Sequence, residues 1–134
     1  MALIEWTPAL SVDITMIDEQ HKKLFKYINE LYEALSQKKE KEILSRLFKD
    51  LEDYTKFHFG LEEENFVKFN YSEKDVHIAQ HKMFTEKLAE LEAGIKNETS
   101  DPEDLLLFLV DWLKNHIKIS DHNYAACFHE HGMH

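Results

Sequence analysis

Glycine and proline, the residues that most often interrupt regular structure, are rare in this chain. Its 134 residues contain three glycines and two prolines. Since tight turns depend on these residues, many short strands are disfavoured and a few long helices are favoured. Apolar residues recur with helical spacing over about 16–37, 41–67, 73–96 and 102–120. Helices of about 20 residues with short connections pack antiparallel, so the sequence predicts an all-α, up-down-up-down four-helix bundle.

The same patterns predict one domain over residues 1–134, because this length suits one hydrophobic core. Residues 1–15 have no sustained helical period and are predicted to form an extended N-terminal arm, anchored by Ile4 and Trp6. Residues 122–134 are predicted to form a C-terminal tail that begins helical and ends frayed.

Local signals refine the helices. Ser100-Asp101-Pro102-Glu103-Asp104 combines a capping residue, proline in the first turn and acidic residues, which predicts a helix start. Ser72, with Asp75 three residues later, predicts another helix start. In the second helix, Tyr54 and Phe57 are predicted to face the core.

Charge and composition exclude several classes of partner. A formal net charge of −10 argues against nucleic acid, which requires clustered Lys and Arg. No leader opens the chain, and the longest apolar run, 105–110, is far shorter than the roughly 20 residues of a membrane span. Cys127 is the single cysteine, so no disulfide can form within the chain. We therefore predict a cytoplasmic protein without nucleic-acid binding or membrane insertion.

His77 and His81 lie four residues apart in the third predicted helix, so both imidazoles can reach one metal ion. Such a pair is a weak signal alone. Further histidines and carboxylates lie on the inner faces of the other helices: His21, His58, Glu62, His116 and Asp121. Burying these imidazoles unpaired costs about 1–3 kcal/mol for each group. Metal binding is therefore favoured over structural core histidines, and over acid–base catalysis, which needs fewer histidines.

The number and type of ligands bear on the metal. Seven nitrogen and oxygen ligands exceed the four of a structural zinc site, whereas two carboxylate-bridged ions would use all of them. Imidazole with carboxylate suits iron, although manganese, cobalt or zinc could also bind. One spacing fits poorly: His116 and Asp121 are five residues apart, about 140° around an α-helix. We expect the Asp121 carboxylate to reach across this offset.

Four motifs, taken in order, resemble those of the hemerythrins. They are Ile17-Asp18-Glu19-Gln20-His21, His58-Phe59-Gly60-Leu61-Glu62-Glu63, His77-x-x-x-His81 and His116-Ile117-x-x-x-Asp121. Trp6 and Leu10-Ser11-Val12 resemble the bacterial branch, the bacteriohemerythrins. The resemblance implies two iron ions joined by an oxo or hydroxo group. It implies one iron on His77, His81 and His116, a second with an open position on His21 and His58, and bridges from Glu62 and Asp121.

The resemblance also implies a function, the reversible binding of dioxygen for transport, storage or local supply, without enzymatic turnover. Small anions such as azide would compete for the open position, and an oxygen-consuming protein partner remains unknown. The implied apolar pocket walls are Leu24, Phe59, Trp112, Leu113 and Ile117. Two alternatives remain: a sensor of oxygen, nitric oxide or iron that acts through a separate partner, and an enzyme that processes peroxide or nitric oxide.

Some positions depart from the family pattern or lie outside it. Asp13 replaces a common glycine, Asn65-Phe66 replace a frequent Leu-Met, and Ser72 replaces a usual proline; none of these is an implied ligand. Glu63 is predicted either to lie around the site, next to the metal ligands without binding the metal, or to lie on the surface. The tail histidines are predicted to face solvent, and metal binding by them is left open: His122, His129, His131 and His134.

Overall fold

Four long helical segments form a closed bundle in a computed structural model that describes residues 3–134, and for 118–120 the backbone alone. The segments are α1 (Thr15–Ser36), α2 (Glu40–Lys68), α3 (Lys74–Lys96) and α4 (Pro102–Trp112), with α4 continuing into a π-helix (Leu113–Ser120) and α5 (Asp121–Glu130). α1 and α3 each contact both α2 and α4. No strand occurs within residues 3–134. The predicted all-α four-helix bundle is confirmed.

The two predicted helix starts have different outcomes. α4 begins at Pro102, and the Asp104 carboxylate accepts the backbone N–H of Asp101 at 2.9 Å, as the sequence signal indicates. Ser72 does not cap α3, which begins at Lys74 without a side-chain cap. The reason lies in the preceding turn, where the Tyr71 N–H still bonds the Phe66 carbonyl at 2.9 Å and closes the end of α2.

The first three helices end with a residue in the left-handed region. Lys38, Asn70 and Glu98 have φ values of 57°, 51° and 60°. At the end of α1, the Lys39 N–H donates to the Ala34 carbonyl at 2.7 Å, the pattern of a Schellman motif. Lysine and glutamate cost about 1–2 kcal/mol each in this conformation. The chain therefore ends α1 and α3 by geometry that its residue types do not favour.

Two hydrophobic clusters fill the bundle and lie on either side of a polar layer. The main cluster is the larger one and includes the buried residues Leu24, Ile28, Leu31, Leu47, Leu51, Tyr54, Phe84, Leu88, Leu105, Leu109 and Leu113. The second cluster comprises Val12, Ile14, Ile17, Phe66, Tyr71, Tyr124 and Phe128. The buried histidines and carboxylates lie between the clusters along each helix. The prediction that Phe57 faces the core is wrong: its side chain is 64% exposed, because the inward stripe of α2 passes from Tyr54 to His58.

The N-terminal arm packs along α1, and Met1 and Ala2 lie outside the described residues. Ile4 and Trp6 pack half-buried against the main cluster, which confirms them as anchors. The Asn29 amide oxygen accepts the N–H of Leu3 at 2.9 Å and of Ile4 at 3.1 Å, and its amide nitrogen donates to the Ile4 carbonyl at 2.9 Å. The arm is not wholly extended, because residues 8–10 form a short 3-10 turn.

The tail begins with α5 and returns to the arm. His122 Nε2 lies 2.9 Å from the Ser11 carbonyl, and His129 Nε2 lies 3.1 Å from that of Asp13. His122 and His129 are both half-buried, so the prediction that they face solvent is wrong. Within residues 3–134, no helix is both long and apolar enough to cross a membrane.

Candidate metal centre

The seven predicted ligands converge in the polar layer between the two clusters. None of them is more than 3% exposed. Their potential ligand atoms form two groups, in each of which all atoms lie within 4.8 Å of one another. The three-histidine group is Glu62, His77, His81 and His116, and the two-histidine group is His21, His58 and Asp121. All four bundle segments therefore contribute to one centre.

Each carboxylate contacts histidines of both groups. Glu62 Oε1 lies 3.1 Å from His58 Nε2 and 3.2 Å from His81 Nε2. Asp121 Oδ2 lies 2.8 Å from His21 Nε2, and its Oδ1 lies 3.0 Å from the Nε2 atoms of His77 and His116. Both carboxylates therefore occupy bridging positions between the two groups.

These short contacts do not have the angles of hydrogen bonds. Buried atoms without a hydrogen-bond partner include the Nε2 atoms of His21, His77, His81 and His116 and all four carboxylate oxygens of Glu62 and Asp121. Leaving so many buried polar atoms unpaired is costly, and native proteins rarely do so. A cation in each group would satisfy them, so the arrangement fits metal ions bound by imidazole and carboxylate.

The centre holds its carboxylates ionised. Burial and the charge of Asp121 raise the pKa of Glu62, but the imidazoles of His58 and His81 outweigh them, so this pKa lies below its ordinary value. Burial likewise raises the pKa of Asp121, and contacts with His116, His21 and His77 bring it well below its ordinary value. Burial lowers the pKa of the His116 imidazole. Two buried negative charges next to imidazoles form a site that favours a cation.

The π-helix explains the five-residue spacing between His116 and Asp121. The backbone N–H of Asp121 donates to the carbonyl of His116, an i to i+5 bond. This wider turn brings both side chains toward the centre. The expectation that the carboxylate reaches across an α-helical offset is therefore wrong, because the backbone itself removes the offset.

Three of the predicted ligand histidines contact further side chains: Glu63, which the sequence placed either around the site or on the surface, and Gln20 and Gln80, which it did not assign to the site. His58 Nδ1 contacts the amide oxygen of Gln20, His81 Nδ1 lies 3.2 Å from Glu63 Oε2, and His116 Nδ1 lies 2.8 Å from the amide oxygen of Gln80. Each of the three acceptors is the immediate sequence neighbour of a ligand: Gln20 of His21, Glu63 of Glu62 and Gln80 of His81. That adjacency is the signal that could have identified Gln20 and Gln80 as well.

Aromatic rings surround the imidazoles. The rings of Phe59 and His81 stack with centroids 3.8 Å apart, those of Trp112 and His116 at 4.0 Å, and those of Tyr54 and His58 at 5.3 Å. The predicted pocket walls all belong to the main cluster, in which Leu24, Phe59, Leu113 and Ile117 are buried and Trp112 is half-buried. The centre is therefore shielded from water on this side.

The tail histidines do not join the centre. His129 is half-buried and His131 and His134 are exposed, and His131 Nδ1 lies 2.9 Å from the Cys127 carbonyl oxygen. Among the residues that the structure describes, the two groups of the centre are the only sets of three or more His, Cys, Asp or Glu side chains arranged for a metal ion.

The fold and the site together define a metal-binding four-helix bundle rich in histidine. The profile of the Hemerythrin HHE cation binding domain matches residues 12–128. A bacteriohemerythrin of Methylococcus capsulatus is 33% identical over 95% of this chain and 98% of that protein. A bacteriohemerythrin of Stenotrophomonas maltophilia is 30% identical over 93% of this chain and 81% of that protein. The crystal structure of a wild-type hemerythrin matches with a TM-score of 0.83 and 30% identity over 94% of this chain and 98% of that one. The chain belongs to the hemerythrin family, as the four motifs predict.

Proposed function

We propose that this protein is a non-haem di-iron protein that binds dioxygen reversibly, for transport, storage or local supply. One iron would be held by the three histidines His77, His81 and His116, and the other by His21 and His58. The observation that carries the proposal is the position of Glu62 and Asp121, each in contact with histidines of both groups.

The unequal number of histidines supports an open position at one iron. Two ferrous ions, when bound, would together supply the two electrons that reversible dioxygen binding requires. The two-histidine group has one imidazole fewer, so an exogenous ligand would enter there. We expect small anions such as azide to compete for this position in the oxidised protein.

Apolar residues near the site favour reversible binding of dioxygen because they exclude water and protons. Phe59, Leu113 and Ile117 belong to the buried main cluster, which keeps water and protons from the site. We propose that these residues, with Leu24 and Trp112, line the ligand pocket and that the protein is a carrier, not an enzyme. The lone Cys127 fits a reducing compartment, so we place the protein in the cytoplasm.

Repeated oxygenation tests this function. The iron-loaded, reduced protein is mixed with oxygen, followed by absorption spectroscopy, and then purged with argon. A carrier recovers the reduced spectrum over several cycles without releasing peroxide. An irreversible ferric product, or peroxide released at each cycle, would contradict the proposal and favour an oxidase.

A further inference from the structure

Three hydrogen bonds between neighbouring helices form an outer ring around the centre. Gln20 on α1 contacts His58 on α2, Glu63 on α2 contacts His81 on α3, and Gln80 on α3 contacts His116 in the π-helix. Every bond uses the imidazole Nδ1, so each Nε2 remains directed to the interior. The ring therefore fixes the tautomer and the orientation of these three ligands.

Glu63 differs from the other two members of the ring because it carries a negative charge. Gln20 and Gln80 offer neutral amide oxygens, which orient an imidazole but do little to its electron density. At 3.2 Å the Glu63–His81 contact is not the shortest of the three, but a carboxylate acceptor makes a charge-assisted bond and raises the basicity of the opposite ring nitrogen. His81 is thus the one residue among these three whose Nδ1 has an anionic partner.

The charge of Glu63 is directed to His81 rather than neutralised elsewhere. Its side chain is 35% exposed and lines an open groove of about 430 Å³ between α2 and α3, whose rim includes Lys56 and Lys82. Neither lysine lies within 4.0 Å of the Glu63 carboxylate, and among residues with described side chains His81 is its one ion-pair partner. A glutamate that served only solubility would have no reason to contact the His81 imidazole.

We infer that Glu63 is a positioning residue that strengthens metal binding at the three-histidine group through His81 and makes this group the first to fill. The inference rests on the ligand assignment in the proposed function. Loss of the charge should weaken one binding step and leave the other intact, since Glu63 does not contact the two-histidine group. The same charge should stabilise the oxidised state of the ion held by His81.

Titration of the metal-free protein with Co²⁺ tests the inference without oxygen chemistry. Wild type should bind two ions in two steps. We expect Glu63→Gln, which keeps an acceptor and loses the charge, to weaken the first step roughly tenfold and to change the second less than twofold. Glu63→Leu, which loses the acceptor too, should weaken the first step further. In the iron-loaded protein, Glu63→Gln should also raise the reduction potential.

Two further variants separate charge from fold. Glu64→Gln removes a neighbouring exposed carboxylate and should titrate as wild type. The double variant Glu63→Gln with Gln80→Glu returns a negative charge to the same group through His116, and should restore most of the first-step affinity. Titration of Glu63→Gln identical to wild type, or equal weakening of both steps, would overturn the inference alone. A wild-type protein that binds fewer than two ions would overturn the ligand assignment as well.

Discussion

The backbone N–H of Asp121 donates to the carbonyl of His116, five residues earlier, and Asp121 Oδ1 lies 3.0 Å from Nε2 of the same histidine. In an α-helix these two side chains would point about 140° apart. The π-helix therefore places the Asp121 carboxylate and the His116 imidazole in one centre. It also sets the rotation of α5, which carries Tyr124 and Phe128 into the second cluster.

Deleting one exposed residue from the π-helix tests this role. Removal of Asn115 leaves His116 and Asp121 five residues apart but should restore α-helical bonding, so that the two side chains point about 140° apart and cannot both reach the centre. We expect metal content to fall to less than half that of wild type, with helical circular dichroism retained at low temperature. Deletion of Gly132, beyond the end of α5, is the matched control and should keep full metal content. Wild-type metal binding by the Asn115 deletion would show that the π-helix is dispensable.

The sequence predicted what depends on periodicity and ligand type. Four helices and seven converging side chains follow from apolar spacing and from histidines on inner faces. The π-helix was not predicted, because composition does not mark an extra residue in a helical turn and the only trace, the five-residue spacing of His116 and Asp121, was attributed to the reach of the carboxylate. Asp13 shows a similar limit. It replaces a common glycine, and the structure shows that this position has a φ of 56°, in the left-handed region that glycine favours. Phe57 was predicted to face the core because it lies three residues after Tyr54, but the inward face continues at the fourth residue, His58.

Metal binding should be linked to folding through the three-histidine group. We expect His77→Ala to lower the iron content and to remove most of the rise in melting temperature that iron confers, because bound metal stabilises the folded state. Thermal unfolding with and without iron, together with iron analysis, measures both effects. His134→Ala, at the exposed end of the tail, should behave as wild type. A His77→Ala protein with two irons and an unchanged gain in melting temperature would refute the assignment.

Leu113 should protect the oxygenated protein without binding metal. We expect Leu113→Gln to retain its iron and to autoxidise severalfold faster, because a polar side chain admits water to the pocket. An unpaired buried amide costs about 1–3 kcal/mol, so a control with the same destabilisation is needed. Leu88 belongs to the same cluster but lies on α3, about two helical turns beyond His81, so Leu88→Gln should leave autoxidation unchanged. Loss of iron by Leu113→Gln, or equal autoxidation in both variants, would show that Leu113 does not form the pocket wall.

Two helical glycines should respond oppositely to alanine. A Cβ at Gly94 would clash with the Ser100 side chain, whose own Cβ would lie 2.9 Å away, whereas a Cβ at Gly60 would meet no atom within 4 Å. Gly94→Ala should therefore destabilise the fold by about 1–3 kcal/mol through overpacking. Gly60→Ala should stabilise it by roughly 1 kcal/mol, since alanine favours the helix. Urea unfolding measures both changes, and a stabilising Gly94→Ala would contradict the close approach of the loop after α3.

The most direct test of the central claim is the amount of oxygen bound and returned for each iron. Reduced, iron-loaded protein is titrated with oxygen in a sealed cell, and the gas released under argon is measured. We expect one dioxygen for every two irons, returned in full, with azide in the oxidised protein binding in the same ratio. Oxygen consumed without return, or one dioxygen for each iron, would contradict a single two-iron centre that binds dioxygen reversibly.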